Sequence, residues 1–257
     1  MAVQRGARRS PSDRVTDNKQ ISATESTRKV SVGRWAWEWT KSIVIAFALF
    51  LVIRTFLVEA FRIPTGSMEN TLLVGDFLLV NKAVYGAQVP LTRSHLPAFS
   101  QPRRGDVVVF VPPHEPDKNY VKRLVGVAGD TLEMRAKVLY VNGQAQSEPY
   151  VQFSDPKNDV YGENMYWQCH YRPANVRDTE CRPTRDNWGP VIVPAGRYMV
   201  LGDNRDDSED SRYWGFVHRS AIKGEPLFIY YSFDSSKLRP FPWITQIRWR
   251  RIGGTVH

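Results

Sequence analysis

The sequence places a small, turn-prone serine directly after its most apolar segment, in Pro64-Thr65-Gly66-Ser67-Met68. We call residues 64–72 the serine turn. A serine hydroxyl is a weak nucleophile until a neighbouring base removes its proton. Because Pro-Thr-Gly-Ser is also an ordinary turn sequence, the hypothesis of a nucleophile depends on a base further along the chain.

Histidine is the usual base for a serine, but none of the five histidines stands in a recognisable nucleophile-partner motif. They are His95, His114, His170, His218 and His257. A Ser-His-Asp triad therefore stays open without any support. Lysine can act instead if burial lowers its pKa enough to leave it neutral near pH 7.

Lys122 is the candidate lysine, and it lies in the segment Asn119-Tyr-Val-Lys-Arg-Leu-Val-Gly126. On a strand, Tyr120, Lys122 and Leu124 would share one face, with Arg123 on the other. These apolar and aromatic neighbours would disfavour the charged amine. A solvated lysine on an edge strand would show the same pattern.

A third segment, residues 202–215, alternates acids, bases and hydroxyls in Gly-Asp-Asn-Arg-Asp-Asp-Ser-Glu-Asp-Ser-Arg-Tyr-Trp-Gly. We call it the polar loop. An exposed acidic loop or a cation site could have such a composition, but its arginines and Trp214 favour a packed polar network. The charged residues expected to pair are Asp203 and Asp210 with Arg205 and Arg212. Ser208 could reach an amine.

The element that must position the serine is the apolar segment before it. Residues 42–53 carry no charge, and a modest extension reaches the roughly 20 residues that span a bilayer. Lys41 and Arg54 would then lie near its ends. A buried core helix or a cleaved signal sequence would also be apolar, but no Ala-x-Ala-like site closes the run. We predict an uncleaved anchor over residues 36–59.

The basic residues are concentrated before this segment. Residues 1–41 contain nine Lys/Arg and four Asp/Glu, so they hold +5 of the formal net charge of +9. This distribution favours a topology signal over a nucleic-acid surface. The positive-inside rule predicts a disordered leader, residues 1–35, in the cytoplasm and the rest of the chain across the membrane.

After the serine turn, short apolar runs alternate with Gly, Pro, Asn and Asp, which is typical of β structure. The predicted strands cover residues 77–81, 106–111, 120–127, 131–134, 138–141, 191–193, 197–201 and 227–231. We predict a mostly β protein with an antiparallel, barrel-like catalytic core. The core would comprise residues 60–143 and 191–257, interrupted by an irregular insertion over residues 144–190.

The two cysteines, Cys169 and Cys181, lie in this insertion and could close a disulfide loop in an oxidising compartment. A metal site with the adjacent His170 would lack a fourth ligand at any recognised spacing. We therefore expect a disulfide and no metal or other cofactor.

Together these segments resemble the boxes of bacterial type I signal peptidases, or leader peptidases. P-T-G-S-M-E-N-T-L is similar to the nucleophile box, Y-V-K-R-L-V-G-V-A-G-D to the lysine box, and the polar loop to the third box. R-G-D-V-V-V-F, from residue 104, resembles the strand box between them, and the closing R-I-G-G resembles the Gram-negative branch. Order, spacing and the upstream anchor also fit over residues 36–257.

The resemblance implies a membrane-bound serine endopeptidase that removes signal peptides from exported preproteins after an Ala-x-Ala-like motif. Ser67 would be the nucleophile, Lys122 the general base, and Ser208 would orient the lysine amine. The Thr65 hydroxyl and the Ser67 N–H would form the oxyanion hole. Asp203, Arg205, Asp210 and Arg212 would hold the polar loop in shape. Shallow pockets for small side chains would be lined by Phe61, Ile63, Met68, Leu72, Tyr120 and Val121.

The resemblance also implies a location: a single-pass protein of the bacterial inner membrane, with its N-terminus cytoplasmic and its catalytic domain periplasmic. The expected partners are preproteins and the lipid bilayer, with no nucleic acid. Two departures from the family are Thr65, where many members have serine, and Val127-Ala128-Gly129-Asp130, where Pro-Gly-Asp is common. A third is the single membrane segment, where some members have two. The alternatives are a specialised Ser-Lys maturation peptidase and a non-catalytic, membrane-anchored binding module.

Overall fold

The computed structural model describes residues 32–89, 92, 94, 96–155, 159, 161–176, 181–234, 236 and 240–256. The chain divides into two compact units, residues 1–45 and 46–257. Helix α1, Val32–Phe56, contains the division. None of its residues 33–56 is buried, and by length and composition they could cross a membrane. Most of the predicted leader, residues 1–31, lies outside the described residues.

Most of the second unit is β structure. The strands, in chain order, are β1 Val58–Arg62, β2 Asp76–Asn81, β3 Val107–Phe110, β4 Tyr120–Gly126, β5 Thr131–Arg135, β6 Val138–Val141, β7 Gln144–Ala145, β8 Trp188–Ile192, β9 Arg197–Leu201, β10 Val217–His218 and β11 Ile222–Ser232. Two short helices are α2 Ser211–Trp214 and α3 Pro242–Thr245. Single 3₁₀ segments cover Ala83–Tyr85, Glu163–Tyr171, Arg205–Asp207, Arg219–Ala221 and Trp249–Arg251.

Seven strands form one antiparallel sheet in the order β1-β2-β11-β3-β4-β9-β10. The long strand β11 pairs with β2 along one part and with β3 along another, with register shifts in both ladders. Bulges of this kind bend a strand and curl the sheet. The predicted mostly β, antiparallel fold with one N-terminal apolar helix is confirmed.

The second sheet has four strands in the order β7-β6-β5-β8. It encloses its own apolar cluster, which includes Leu132 of β5 and Val191 of β8. The proposed domain boundary at residue 143 falls between β6 and β7, inside this sheet. The hairpin that starts at Thr131 therefore packs with the insertion, because its strands pair with β7 and β8.

All eight predicted strands are present, with ends that differ by a few residues. The sequence patterns missed β1, β7 and β10. The first of these follows α1 after a single residue, Leu57, so its five residues resembled the end of the anchor. The other two are only two residues long, which is too short for an alternating pattern to appear.

Candidate active site

The serine turn is fixed at both ends. Directly before the turn, Ile63 makes two backbone hydrogen bonds at the start of β2. Its amide donates to the Asp76 carbonyl (2.8 Å), and its carbonyl accepts from the Gly75 amide (3.0 Å). Within the turn, the Leu72 amide donates to the Met68 carbonyl (2.7 Å), and both side chains are buried in one apolar cluster. Ser67 therefore stays half-exposed on a turn whose ends are anchored in the core.

Two hydrogen-bond donors lie close to the Ser67 hydroxyl. The Thr65 Oγ1 is 3.5 Å from the Ser67 Oγ, a contact at the outer limit of a hydrogen bond. The backbone N–H of Ser67 has no acceptor within the part of the chain that the structure describes. A hydroxyl and a free N–H on the same turn are suitable groups for an oxyanion hole.

Lys122 is buried on β4, with 3% of its surface exposed. It pairs with Val108 of β3, and the next residue of β4, Arg123, pairs with Leu201 of β9. Burial lowers the pKa of Lys122 from 10.5 to about 8, although the Asp210 carboxylate acts in the opposite direction. Its amine is 5.8 Å from the centre of the Tyr120 ring and makes no hydrogen bond to the described residues.

Asp210 organises the polar loop beside this lysine. Its Oδ1 accepts from the Arg212 Nε (2.8 Å), and its Oδ2 accepts from the Arg212 Nη2 (2.8 Å) and the Ser208 Oγ (2.7 Å). Burial alone would raise the pKa of Asp210, but the Arg212 guanidinium holds it below its usual value. Ser208 thus gives its only proton to Asp210, so it can serve an amine only as an acceptor.

Gly202 brings the serine turn and Ser208 together. A Cβ at this position would overlap the Ser208 hydroxyl and the Ser67 carbonyl oxygen. Only a residue without a side chain leaves room for both groups. Sequence reasoning did not assign Gly202 a role, and its place at the start of the polar loop was the available signal.

The other charged pairs differ from those expected within the polar loop. Asp203 pairs with Arg123, through Nε (2.9 Å) and Nη2 (2.8 Å), and not with Arg205. Arg205 instead reaches Glu148 of the insertion (2.7 Å). The physical reason is burial: Arg123 is on the face of β4 opposite Lys122, is itself buried, and therefore requires a carboxylate.

The predicted pocket residues fall in two places. Five of them belong to one apolar cluster, with Phe61 and Val121 at its partly buried margin and Ile63, Met68 and Leu72 in its interior. Tyr120 packs in the neighbouring cluster around β3 and β4, and its hydroxyl donates to Glu115 (2.6 Å).

In the insertion, Cys169 and Cys181 are joined by a disulfide bond. Within the described residues, no group of three or more His, Cys, Asp or Glu could hold a metal ion. The described histidines make no hydrogen bond to Ser67; His114, for example, stacks on Trp214 with 5.5 Å between ring centres. His95 and His257 lie outside the described residues.

A half-exposed serine and a buried lysine of lowered pKa, on an antiparallel β fold, are features of a serine hydrolase. The sequence model of the family described as "Signal peptidase, peptidase S26" matches residues 36–231, which is more than half of the chain. The chain therefore belongs to this family of serine peptidases, as the resemblance predicted.

Two signal peptidases of Pseudomonas agree with this assignment. A signal peptidase I from Pseudomonas aeruginosa is 38% identical over 235 residues, covering 86% of this chain and 79% of that protein. A signal peptidase I from Pseudomonas fluorescens is 36% identical over 225 residues, covering 82% and 78%. A crystal structure of a signal peptidase I from Enterococcus faecalis is 31% identical and covers 49% of this chain and 97% of that one, with a TM-score of 0.32.

Proposed function

We propose that this protein is a membrane-bound signal peptidase that cuts exported preproteins after an Ala-x-Ala-like motif, with Ser67 as nucleophile and Lys122 as base. The observation that carries the proposal is the buried Lys122 amine, whose pKa of about 8 leaves part of it neutral near pH 7. Its neighbour on β4, Arg123, pairs with Leu201 of β9, and the polar loop that follows β9 hydrogen-bonds the serine turn through the Asn204 amide.

Acylation begins when the neutral Lys122 amine takes the proton of the Ser67 hydroxyl. The Ser67 oxygen attacks the carbonyl carbon before the scissile bond, and the oxyanion accepts bonds from the Ser67 N–H and the Thr65 hydroxyl. Each such donor contributes about 3 kcal/mol to the transition state. The C–N bond then breaks, and the Lys122 ammonium gives its proton to the departing amine of the mature protein.

Deacylation repeats these steps with water. Lys122, neutral again, takes a proton from a water molecule, which attacks the ester carbonyl in the same oxyanion hole. Collapse of the tetrahedral species releases the signal peptide as a carboxylic acid, which ionises, and Lys122 returns a proton to Ser67. The acceptor oxygen of Ser208, whose own proton is given to Asp210, would orient the amine in both halves of the reaction.

The shape of the serine turn favours small residues before the cut. Met68 and Leu72 fill the core beneath the turn, so a pocket there has a closed floor, with Phe61 and Val121 at its margin. β1, at the edge of the seven-stranded sheet, leads into the turn. An extended peptide can add to such an edge by backbone hydrogen bonds, with alternate side chains directed into pockets.

The membrane supplies the substrate, and two features support contact with it. Helix α1 is long and apolar enough to span the bilayer. In the segment after β11, large apolar side chains are exposed, among them Phe241 (65%) and Trp249 (72%), whereas Phe233 is buried at 7%. We place this segment on the lipid surface. From the basic leader we infer that the N-terminus lies on the cytoplasmic side of the inner membrane and the catalytic domain in the periplasm.

The orientation is tested by proteolysis. Protease added to spheroplasts should digest the catalytic domain of the tagged full-length protein, whereas a cytoplasmic marker should survive in the same sample. A domain that remains intact until the membrane is permeabilised would contradict the orientation.

The Ser-Lys assignment is tested by removing each group. Ser67→Ala and Lys122→Ala should each lower cleavage of an Ala-x-Ala preprotein by about 10⁴-fold, to background. Lys118→Ala and Ser236→Ala are matched controls, because among the described residues these exposed side chains bond only to Glu115 and Asp234, respectively. Substantial turnover by either active-site variant would refute the assignment. Mass spectrometry of mature N-termini after depletion would then separate a general peptidase from a specialised maturation enzyme.

A further inference from the structure

Asn204, in the polar loop, holds two consecutive carbonyl groups of the serine turn. Its backbone N–H donates to the Ser67 carbonyl (3.1 Å), and its side-chain Nδ2 donates to the Gly66 carbonyl (3.3 Å). Asn204 is buried, with 1% of its surface exposed. The proposed mechanism gives this side chain no part.

The Gly66 carbonyl matters because it belongs to the same planar peptide unit as the Ser67 N–H. In a trans peptide the C=O and N–H point in opposite directions, so a bond that fixes the carbonyl also fixes the direction of the N–H. The Gly66 oxygen also accepts from the Glu69 amide (2.9 Å), which closes the turn. Hydrogen bonds at the oxygen polarise the amide and strengthen its N–H as a donor.

The Asn204 side chain is itself held from behind. The Ser154 Oγ donates to the Asn204 Oδ1 (3.2 Å), which leaves the Asn204 Nδ2 directed at Gly66. Gln152 braces the same loop by donating to the Asp203 carbonyl (2.8 Å) and accepting from the Arg205 amide (3.0 Å). A segment of the insertion thus supports the polar loop directly behind the serine turn.

We propose that Asn204 is a positioning residue that aims the Ser67 N–H into the oxyanion hole, with Ser154 of the insertion fixing its orientation. The inference rests on the proposed function, since it assumes that this N–H receives the oxyanion. It gives the insertion a role in the reaction through a chain of two side chains that ends at the Gly66–Ser67 peptide.

The test compares two inhibitors on the full-length enzyme in detergent. A peptide aldehyde forms a tetrahedral adduct with Ser67 and uses the oxyanion hole. A peptide of the same sequence with a reduced (CH₂–NH) bond at the scissile position has no such oxygen. Asn204→Ala should lower kcat about tenfold and leave KM within twofold, because a direct oxyanion donor is worth 10²–10³ and this residue acts through one. The aldehyde Ki should rise about tenfold and the reduced-peptide Ki should stay unchanged.

The matched control is Asn187→Ala, which removes an amide that connects Asp159 of the insertion to Ala136 of the β5–β6 turn and should change neither Ki. Equal weakening of both inhibitors in Asn204→Ala would show a general loss of structure and overturn the inference, as would an unchanged kcat. If that variant does not fold, Ser154→Ala decides: a selective twofold to fivefold loss of aldehyde binding supports the inference, and any other result overturns it. Activity in Ser67→Ala would instead reject the proposed function itself.

Discussion

Replacing Lys122 with arginine should abolish cleavage at every accessible pH, although arginine is also a long, positively charged side chain. Lys122 is buried on β4, and burial lowers its pKa from 10.5 to about 8. Arginine stays protonated because its pKa exceeds about 12. The variant therefore keeps a cation in the site and loses the only base that the proposed mechanism uses.

The magnitudes follow from the neutral fraction of each side chain. With a pKa of about 8, roughly one Lys122 amine in ten is neutral at pH 7 and roughly nine in ten at pH 9. An unshifted lysine would be neutral in only about three molecules in 10,000 at pH 7. Burial thus raises the reactive population about 300-fold. At pH 9, an arginine at this position would still be almost entirely protonated.

The assay is kcat/KM for an Ala-x-Ala peptide between pH 6 and pH 10, with full-length enzyme in detergent. For the unmodified protein, kcat/KM should rise about tenfold per pH unit below 8 and level off above it. Return of the pH 6 sample to pH 8 should restore activity, which controls for acid unfolding. A tenfold rise that continues through pH 10 would refute the lowered pKa. More than 1% of activity in Lys122→Arg at pH 8 would refute lysine as the base.

Three further outcomes follow from the same structure. Gly202→Ala should lower kcat/KM at least about 100-fold, because its Cβ would overlap the Ser208 hydroxyl; unchanged activity would contradict this packing. Lys122→Met should raise the free energy of unfolding at pH 7 by up to about 3 kcal/mol, by denaturant titration. The folded pKa lies below the unfolded one, so the unfolded state binds more protons between pH 8 and 10.5, and the gain should fade across that window. Thiol titration of the unreduced, denatured protein should find no free thiol at Cys169 or Cys181, and two thiols would reject the disulfide.

Local patterns in the sequence predicted much of the fold and the strand that carries the candidate base. The alternation around Lys122 predicted a strand over residues 120–127, and the structure gives β4 over Tyr120–Gly126. The Asn142-Gly143 pair is a typical two-residue hairpin sequence, and it joins β6, which ends at Val141, to β7. A strand and its turn are set by neighbouring residues, so a single sequence is enough to find them.

Contacts between distant segments were beyond those patterns. Arg123 pairs with Asp203 across 80 residues, and the pairing depends on the register of β4 against β9. Asn204 bonds Gly66 across 138 residues, so its role becomes visible only when the polar loop is seen against the serine turn. The sequence patterns also did not show that the β5–β6 hairpin belongs to the second sheet, because β8, the partner of β5, lies far along the chain.

The way in which the buried charges of the polar loop are paired helps to explain why burial controls the pKa of Lys122. A buried ion pair is weak support for stability, because desolvation offsets most of the attraction. Here Asp210 favours the Lys122 ammonium and Arg212 opposes it, so the two effects of this pair partly cancel at the amine. Asp203 is likewise matched by Arg123. An acid without its arginine would favour the protonated lysine and disable the base. The acids shape the polar loop, but their negative charges alone would raise the pKa of Lys122. We infer that the paired arginines are needed to offset this effect.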